Sequence, residues 1–103
     1  MTYIQVNIGR NTKDGPLSDN KWFAFQFIVM DALHDVWAID PKEHVGVGWW
    51  DGVLEDLANL SLVVPLVTGD ALDDLRADLR FAASFFGQDS IALIVAESEL
   101  VSP

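Results

Sequence analysis

Histidine is the side chain whose ordinary titration lies closest to neutral pH, and this sequence has two, His34 and His44. His44 precedes Trp49, Trp50 and the acids Asp51, Glu55 and Asp56, which makes it the candidate general base, a role that needs a group able to take a proton near neutral pH. His34 falls at the end of a helical pattern, where a cationic ring complements the negative end of the helix dipole, so a capping role is expected. A two-histidine metal site would require both rings to converge, and no acidic spacing matches a calcium-binding loop. The sequence contains no cysteine to act as thiolate nucleophile or ligand. No serine stands in a nucleophile-elbow context, so no triad is recognisable. The expectation is a chain with no catalytic set, no metal and no cofactor.

The densest constellation is Gly46-Val47-Gly48-Trp49-Trp50-Asp51-Gly52. The glycines let the backbone bend or approach another group closely, and adjacent tryptophans on a strand point to opposite faces. At least one indole therefore reaches the open side of a sheet or the rim of a hairpin, and tryptophan is enriched at binding hot spots. The alternative is that one indole packs in the core, the other shields the hairpin, and Asp51-Gly52 makes the turn. The Gly-x-Gly here is not a dinucleotide fingerprint, because no helix follows and the third glycine is not in place. Arg10, His44 and Asp51 are the pocket candidates. A groove on the sheet could combine Arg10 and His44 with Gln5, Asn7 and Trp50.

Composition narrows the partners. With 16 acidic against 6 basic residues the net charge is −10, which repels phosphate backbones and anionic membranes. No direct nucleic-acid binding and no membrane association are expected. At 103 residues, 50% of them hydrophobic, the chain has material for the core of one domain, 1–103, with a flexible tail at 98–103. No apolar run approaches the ~18 residues needed to span a bilayer. The lack of cysteine, with no N-terminal signal-type apolar region, fits the cytoplasm.

These residues must be positioned by elements that the apolar periodicity outlines. Tyr3 to Ile8 alternates, placing Ile4, Val6 and Ile8 on one face and Tyr3, Gln5 and Asn7 on the other. Gly9 to Ser18 is rich in turn-formers and reads as an exposed loop. Asp19 to Leu33 repeats Trp22, Phe25, Val29 and Leu33 at helical spacing, with Ser18 or Asp19 as N-cap. Phe23, Phe27 and Met30 lie off that stripe and must cover a sheet edge or meet a partner. Val36 to Trp50 reads as an edge strand interrupted at Asp40-Pro41. Asp51 to Asp56 reads as a solvated loop too long for a two-residue hairpin. Leu60 to Leu66 alternates as a third strand.

The second helix has Thr68 as N-cap, acids in its first turns, a stripe of Leu72, Leu75, Leu79 and Phe86, and Gly87 as its stop. Ile91 to Ala96 is apolar on both faces, as in a strand covered on both sides. Gln88-Asp89 reads as the link that caps this helix and starts the last strand, not as a site.

Strand, helix, two strands, helix, strand is the order of an α+β, ferredoxin-like βαββαβ two-layer sandwich. Its antiparallel sheet has the order 4-1-3-2 and carries both helices on one face. The other face is left without a helix, and it mixes apolar with small polar residues as protein interfaces do. A homodimer through this open face is expected, with Gln5, Asn7, Trp49, Trp50, Val63 and Ile94 as interface candidates.

The opening Tyr3-Ile4-Gln5-Val6-Asn7-Ile8-Gly9, the Gly46–Gly52 tryptophan turn and Phe86-Gly87-Gln88-Asp89-Ser90-Ile91-Ala92-Leu93 together resemble small uncharacterised proteins of actinobacterial phages and their hosts. The resemblance implies a cytoplasmic accessory protein in the host cell and carries over no activity. Three functions are compatible with the residues. The first is a non-catalytic, dimeric interaction module that binds a host or phage protein through the open sheet and the tryptophan rim. The second is a nucleic-acid mimic that inhibits a DNA-binding protein or nuclease, although the acids are scattered rather than set in rows. The third is a small-molecule-binding or enzymatic dimer of the same fold.

Overall fold

A computed structural model describes residues 1–103, the side chain of Trp50 excepted. The elements in chain order are β1 (Thr2–Gly9), β2 (Asn11–Thr12), β3 (Gly15–Pro16), α1 (Asp19–Trp37), β4 (Lys42–Trp50), β5 (Val53–Val64), α2 (Gly69–Phe85) and β6 (Ala92–Glu97). β1, β4, β5 and β6 form one antiparallel sheet in the order β4-β5-β1-β6, and β2 pairs with β3 in a small separate hairpin. The segment expected as a plain loop thus contains this hairpin, closed by Thr12, whose hydroxyl donates to the Gly15 carbonyl at 2.7 Å.

Alternation along β1 and β5 decides which side of the sheet is the core. Ile4, Val6 and Ile8 of β1 and Ala58, Leu60, Leu62 and Val64 of β5 are buried. They join Trp22, Phe25, Val29 and Leu33 of α1 and Leu75, Leu79 and Ala82 of α2 in a single cluster, so both helices roof the same face. Phe86 completes the roof, stacking on Phe25 with ring centroids 4.8 Å apart.

Helix ends follow local chemistry. The Ser18 hydroxyl accepts from the Lys21 amide and the Thr68 hydroxyl from the Ala71 amide, each satisfying an amide that the helix leaves unpaired. α1 runs to Trp37, four residues past the expected end, so Val36 and Trp37 are helical rather than extended. The helix stops at Ala38, whose left-handed φ of 54° turns the chain while its amide bonds the His34 carbonyl. His34 does stand in this last turn, with Nδ1 2.9 Å from Asp40 Oδ1.

The largest departure from the sequence expectation is at the β4–β5 hairpin. Asp51 and Gly52 alone form the turn, with φ of 50° and 76°, the double left-handed geometry of a tight hairpin. Val53 to Asp56, expected as a solvated loop, are strand and continue the pairing with β4. Leu57 pairs with Gly9, the last residue of β1; beyond that row Arg10 and Asn11 still bond Asp56, Glu55 and Leu54, and the tip around the turn projects as a two-stranded arm. The arm contributes to an elongated shape of 48 × 30 × 19 Å. β6 also differs from expectation: it is an edge strand, and Ile94 and Val95 are 44% and 39% exposed rather than covered on both sides.

Candidate functional site

The open face of the sheet has a polar spine. Tyr3, Gln5 and Asn7 project from β1 opposite the core, the Tyr3 hydroxyl donating to Gln5 Oε1 and Gln5 Nε2 to Asn7 Oδ1 at 2.7 Å. At the Asn7 end of this spine lies a cleft of about 300 Å³, at the small end of the range for ligand sites. Its walls come from Asn7 and Gly9 of β1, Asn11 of β2, Glu55, Leu57 and Asn59 of β5, the Gln88-Asp89-Ser90 link after α2, and Ala92 of β6.

Each wall is held by its own local device. Glu55 lies on the open-face side of β5, and its Oε2 accepts from the Asn11 amide at 2.8 Å. Gly9 permits this, since a Cβ there would stand 2.5 Å from Glu55 Oε1. Asn11 in turn donates from Nδ2 to the Leu54 carbonyl at 3.2 Å, while its own carbonyl accepts from Gln88 Nε2 at 3.5 Å. The link is aimed by the end of α2. Gly87 takes φ 64°, Gln88 donates its amide to the Ala83 carbonyl at 2.8 Å and Gly87 donates to Ser84 at 3.4 Å, a two-bond stop that swings residues 88–90 under the sheet.

Arg10 braces the cleft from behind. Its guanidinium donates to Asp19 at 2.6 Å, to Asp56 at 3.0 Å and from Nε to the Leu17 carbonyl at 2.6 Å. The hydrogen bond to Asp19 raises its pKa above the ordinary guanidinium value, partial desolvation opposes this, and Asp56 adds to the rise. Arg10 therefore ties β1, β5 and the start of α1 together and is committed to protein partners.

The chemistry on offer is one fixed carboxylate among amides and a hydroxyl. Amide side chains can read the donor and acceptor edge of a heterocycle, and a carboxylate attracts a cationic or polyhydroxyl group. Of the expected site residues, the structure brings only Asn7 into this cleft. Gln5 lies next to it on the spine, and His44 is exposed on β4 in register with the cleft residue Asn59. Asp51 is at the arm's turn, away from the cleft walls. Among the interface candidates, Val63 and Ile94 stand on the open face, 54% and 44% exposed. Trp49 pairs with Leu54 on the helix side and is 74% exposed, so it faces away from the other candidates, while Trp50 ends β4 opposite Val53. Gly9, Asn11, Gln88 and Ser90 were not singled out as site residues by the sequence. Their signal is positional: they gather only when the tight stop of α2 meets the end of β1.

No family model matches the sequence, and no curated protein does. No helix is long and apolar enough to cross a membrane. Among solved structures, the fold is similar to that of a phage SAM lyase in complex with S-methyl-5'-thioadenosine, with a TM-score of 0.60 at 16% identity over 93% of this chain and 80% of that one. A de novo designed protein, Foldit4, aligns over 95% of this chain and 96% of its own at 9% identity, with a TM-score of 0.48.

Proposed function

We propose that this chain is a ferredoxin-like small-ligand protein of phage type whose open-face cleft takes an adenosyl sulfur compound, S-adenosylmethionine or its thioether product. The observation that carries this reading is the Glu55 carboxylate, pinned by the Asn11 amide beside the amides of Asn7, Asn59 and Gln88. The strand order β4-β5-β1-β6 supports the ferredoxin-like assignment, and the likeness to a phage SAM lyase supplies the ligand class. The amides suit the adenine edge and ribose, and the carboxylate suits a sulfonium cation. As the substrate's own carboxylate oxygen bonds the carbon that leaves sulfur, the carbon–sulfur electron pair returns to sulfur, giving a neutral thioether and a lactone with the two charges cancelled. Glu55 would then hold the charged substrate more tightly than the product, which favours release. This reading departs from the non-catalytic module expected from the absence of a triad.

The test is calorimetric titration with S-adenosylmethionine and with S-methyl-5'-thioadenosine, alongside chromatographic assay for release of the thioether. Binding that Glu55→Gln weakens at least tenfold for the sulfonium, and less for the thioether, supports the reading. No heat with either compound and no product would overturn it.

A second reading keeps the non-catalytic interaction module, dimeric through the open sheet and binding a host or phage protein. Val63 and Ile94 favour it, being apolar and exposed on either side of the polar spine. A Val63→Asp/Ile94→Asp variant that leaves the solution mass unchanged would count against it.

A further inference from the structure

Among the described residues, the most exposed apolar side chains of the sheet lie on its roofed side, not on its open face. Val45, Val47 and Trp49 of β4 pair in register with Ala58, Asp56 and Leu54 and so share the helix side of the sheet. α1 covers β5, where Ala58 and Leu60 are fully buried, but stops short of the edge strand: Val45, Val47 and Trp49 are 68%, 65% and 74% exposed. Phe23 and Phe27 on α1 are bare as well. An edge strand with unpaired backbone groups and an apolar face is a template for pairing unless it is covered.

The opposite edge offers a matching surface. Leu93 and Val95 of β6 pair with Val6 and Ile4 and so also lie on the helix side. α2 leaves a groove of about 790 Å³ beside them, lined by Leu79, Ala83, Leu93, Val95 and two of the chain's basic residues, Arg76 and Arg80. Arg76 bonds Asp73 at 3.1 Å, whereas Arg80 has no carboxylate partner among the described residues. The β4 face is apolar and carries Glu43 on the same side, and the arm ends at Asp51. The groove sets Arg76 and Arg80 against a single aspartate, Asp89, and the helix-side face of β4 carries Glu43 with Lys42 on the other face, so the unpaired Arg80 and Glu43 are complementary across two copies.

We propose that β4 of one copy docks beside β6 of a second copy, extending the sheet across the boundary and seating Val45, Val47 and Trp49 against the α2–β6 groove. Strand addition of this kind satisfies both backbone edges at once. The contact is head-to-tail, since each copy uses a different edge, so it builds a closed ring or a filament rather than a twofold dimer. The groove shares the Gln88-Asp89-Ser90 link with the cleft, on its other side, but the contact does not use the open face, and the solution mass that tests it needs no ligand.

Light scattering after size exclusion tests it with Val47→Asp, which damages the arm, and Arg76→Glu/Arg80→Glu, which damages the groove. Val45→Lys serves as a second arm variant, and circular dichroism checks folding. The wild type should be larger than a dimer and each variant monomeric. An equimolar mixture of arm and groove variants should give dimers, because one intact arm then meets one intact groove. A monomeric wild type, an arm or groove variant of wild-type mass, or a mixture that stays monomeric overturns the proposal.

Discussion

The Glu55 carboxylate lies flat against the Cα of Gly9: a Cβ at position 9 would come within 2.5 Å of Oε1 and 2.7 Å of Oε2. The atoms in the way are the far end of a flexible side chain, not backbone. Glycine is thus required here for the placement of one carboxylate more than for the path of the chain.

Gly9→Ala should accordingly swing Glu55 off the Asn11 amide without unfolding the protein. Thermal unfolding should show a loss of about 1 kcal/mol or less, the value of one charge-assisted hydrogen bond partly replaced by water. Sulfonium binding should fall as far as it does in Glu55→Gln. A variant that binds as the wild type does would mean that the carboxylate position is unimportant to the cleft.

The hairpin turn makes a second prediction. Gly52 holds a φ of 76°, a conformation that costs an L-residue about 1–2 kcal/mol. Gly52→Ala should lose about that much in denaturant unfolding. Asp51→Asn should be neutral or slightly stabilising, because Asn-Gly is the favoured pair for this turn.

How much of this was legible beforehand depended on whether local pattern and tertiary position agreed. The alternation of Ile4, Val6 and Ile8 and the stripe Leu75, Leu79 and Phe86 point to the core in the sequence as they do in the structure. Val53 to Asp56 read as loop because Glu55 and Asp56 break the apolar alternation. In the structure those acids are tied to Asn11 and Arg10, long-range partners that no window of sequence displays. Trp37 reads as strand in the sequence because its apolar neighbours suit either period. Its indole instead donates to the Leu66 carbonyl at 2.5 Å, docking the end of α1 on the segment after β5. The cleft was illegible for the same reason: its walls are far apart in the chain and meet only where α2 stops.

Arg10 carries a third prediction. Arg10→Met should retain much of the packing of the stem but leave Asp19, Asp56 and the Leu17 carbonyl without their shared donor, lowering the melting temperature. Because its pKa is raised, the stabilisation is complete below the ordinary guanidinium range and fades only as pH rises through the still higher folded value. The difference in melting temperature between wild type and Arg10→Met should therefore show no step from Arg10 between about pH 6 and 9, and it should narrow with added salt. A difference unaffected by salt would assign the effect to packing alone.

The stacked pair Phe25 and Phe86 locates the energetic centre of the roof. Phe25 is fully buried, stacks on Phe86 at 4.8 Å and meets Trp22 edge-on at 6.1 Å, so it joins α1 to the end of α2. Truncating it removes apolar contacts and leaves a cavity that the surrounding rings fill only in part, at a cost of about 3–5 kcal/mol. For a domain of this size that is a large share of the whole stability. Because Phe86 immediately precedes the Gly87 stop that aims Gln88, Phe25→Ala should also loosen the cleft. Phe25→Leu, which keeps most of the volume, should recover a large part of the stability. Urea unfolding of the two variants, paired with amide exchange at Gln88 and Ser90, checks both halves. Full protection at those amides in a destabilised Phe25→Ala would show that the stop of α2 stands without the stacked rings.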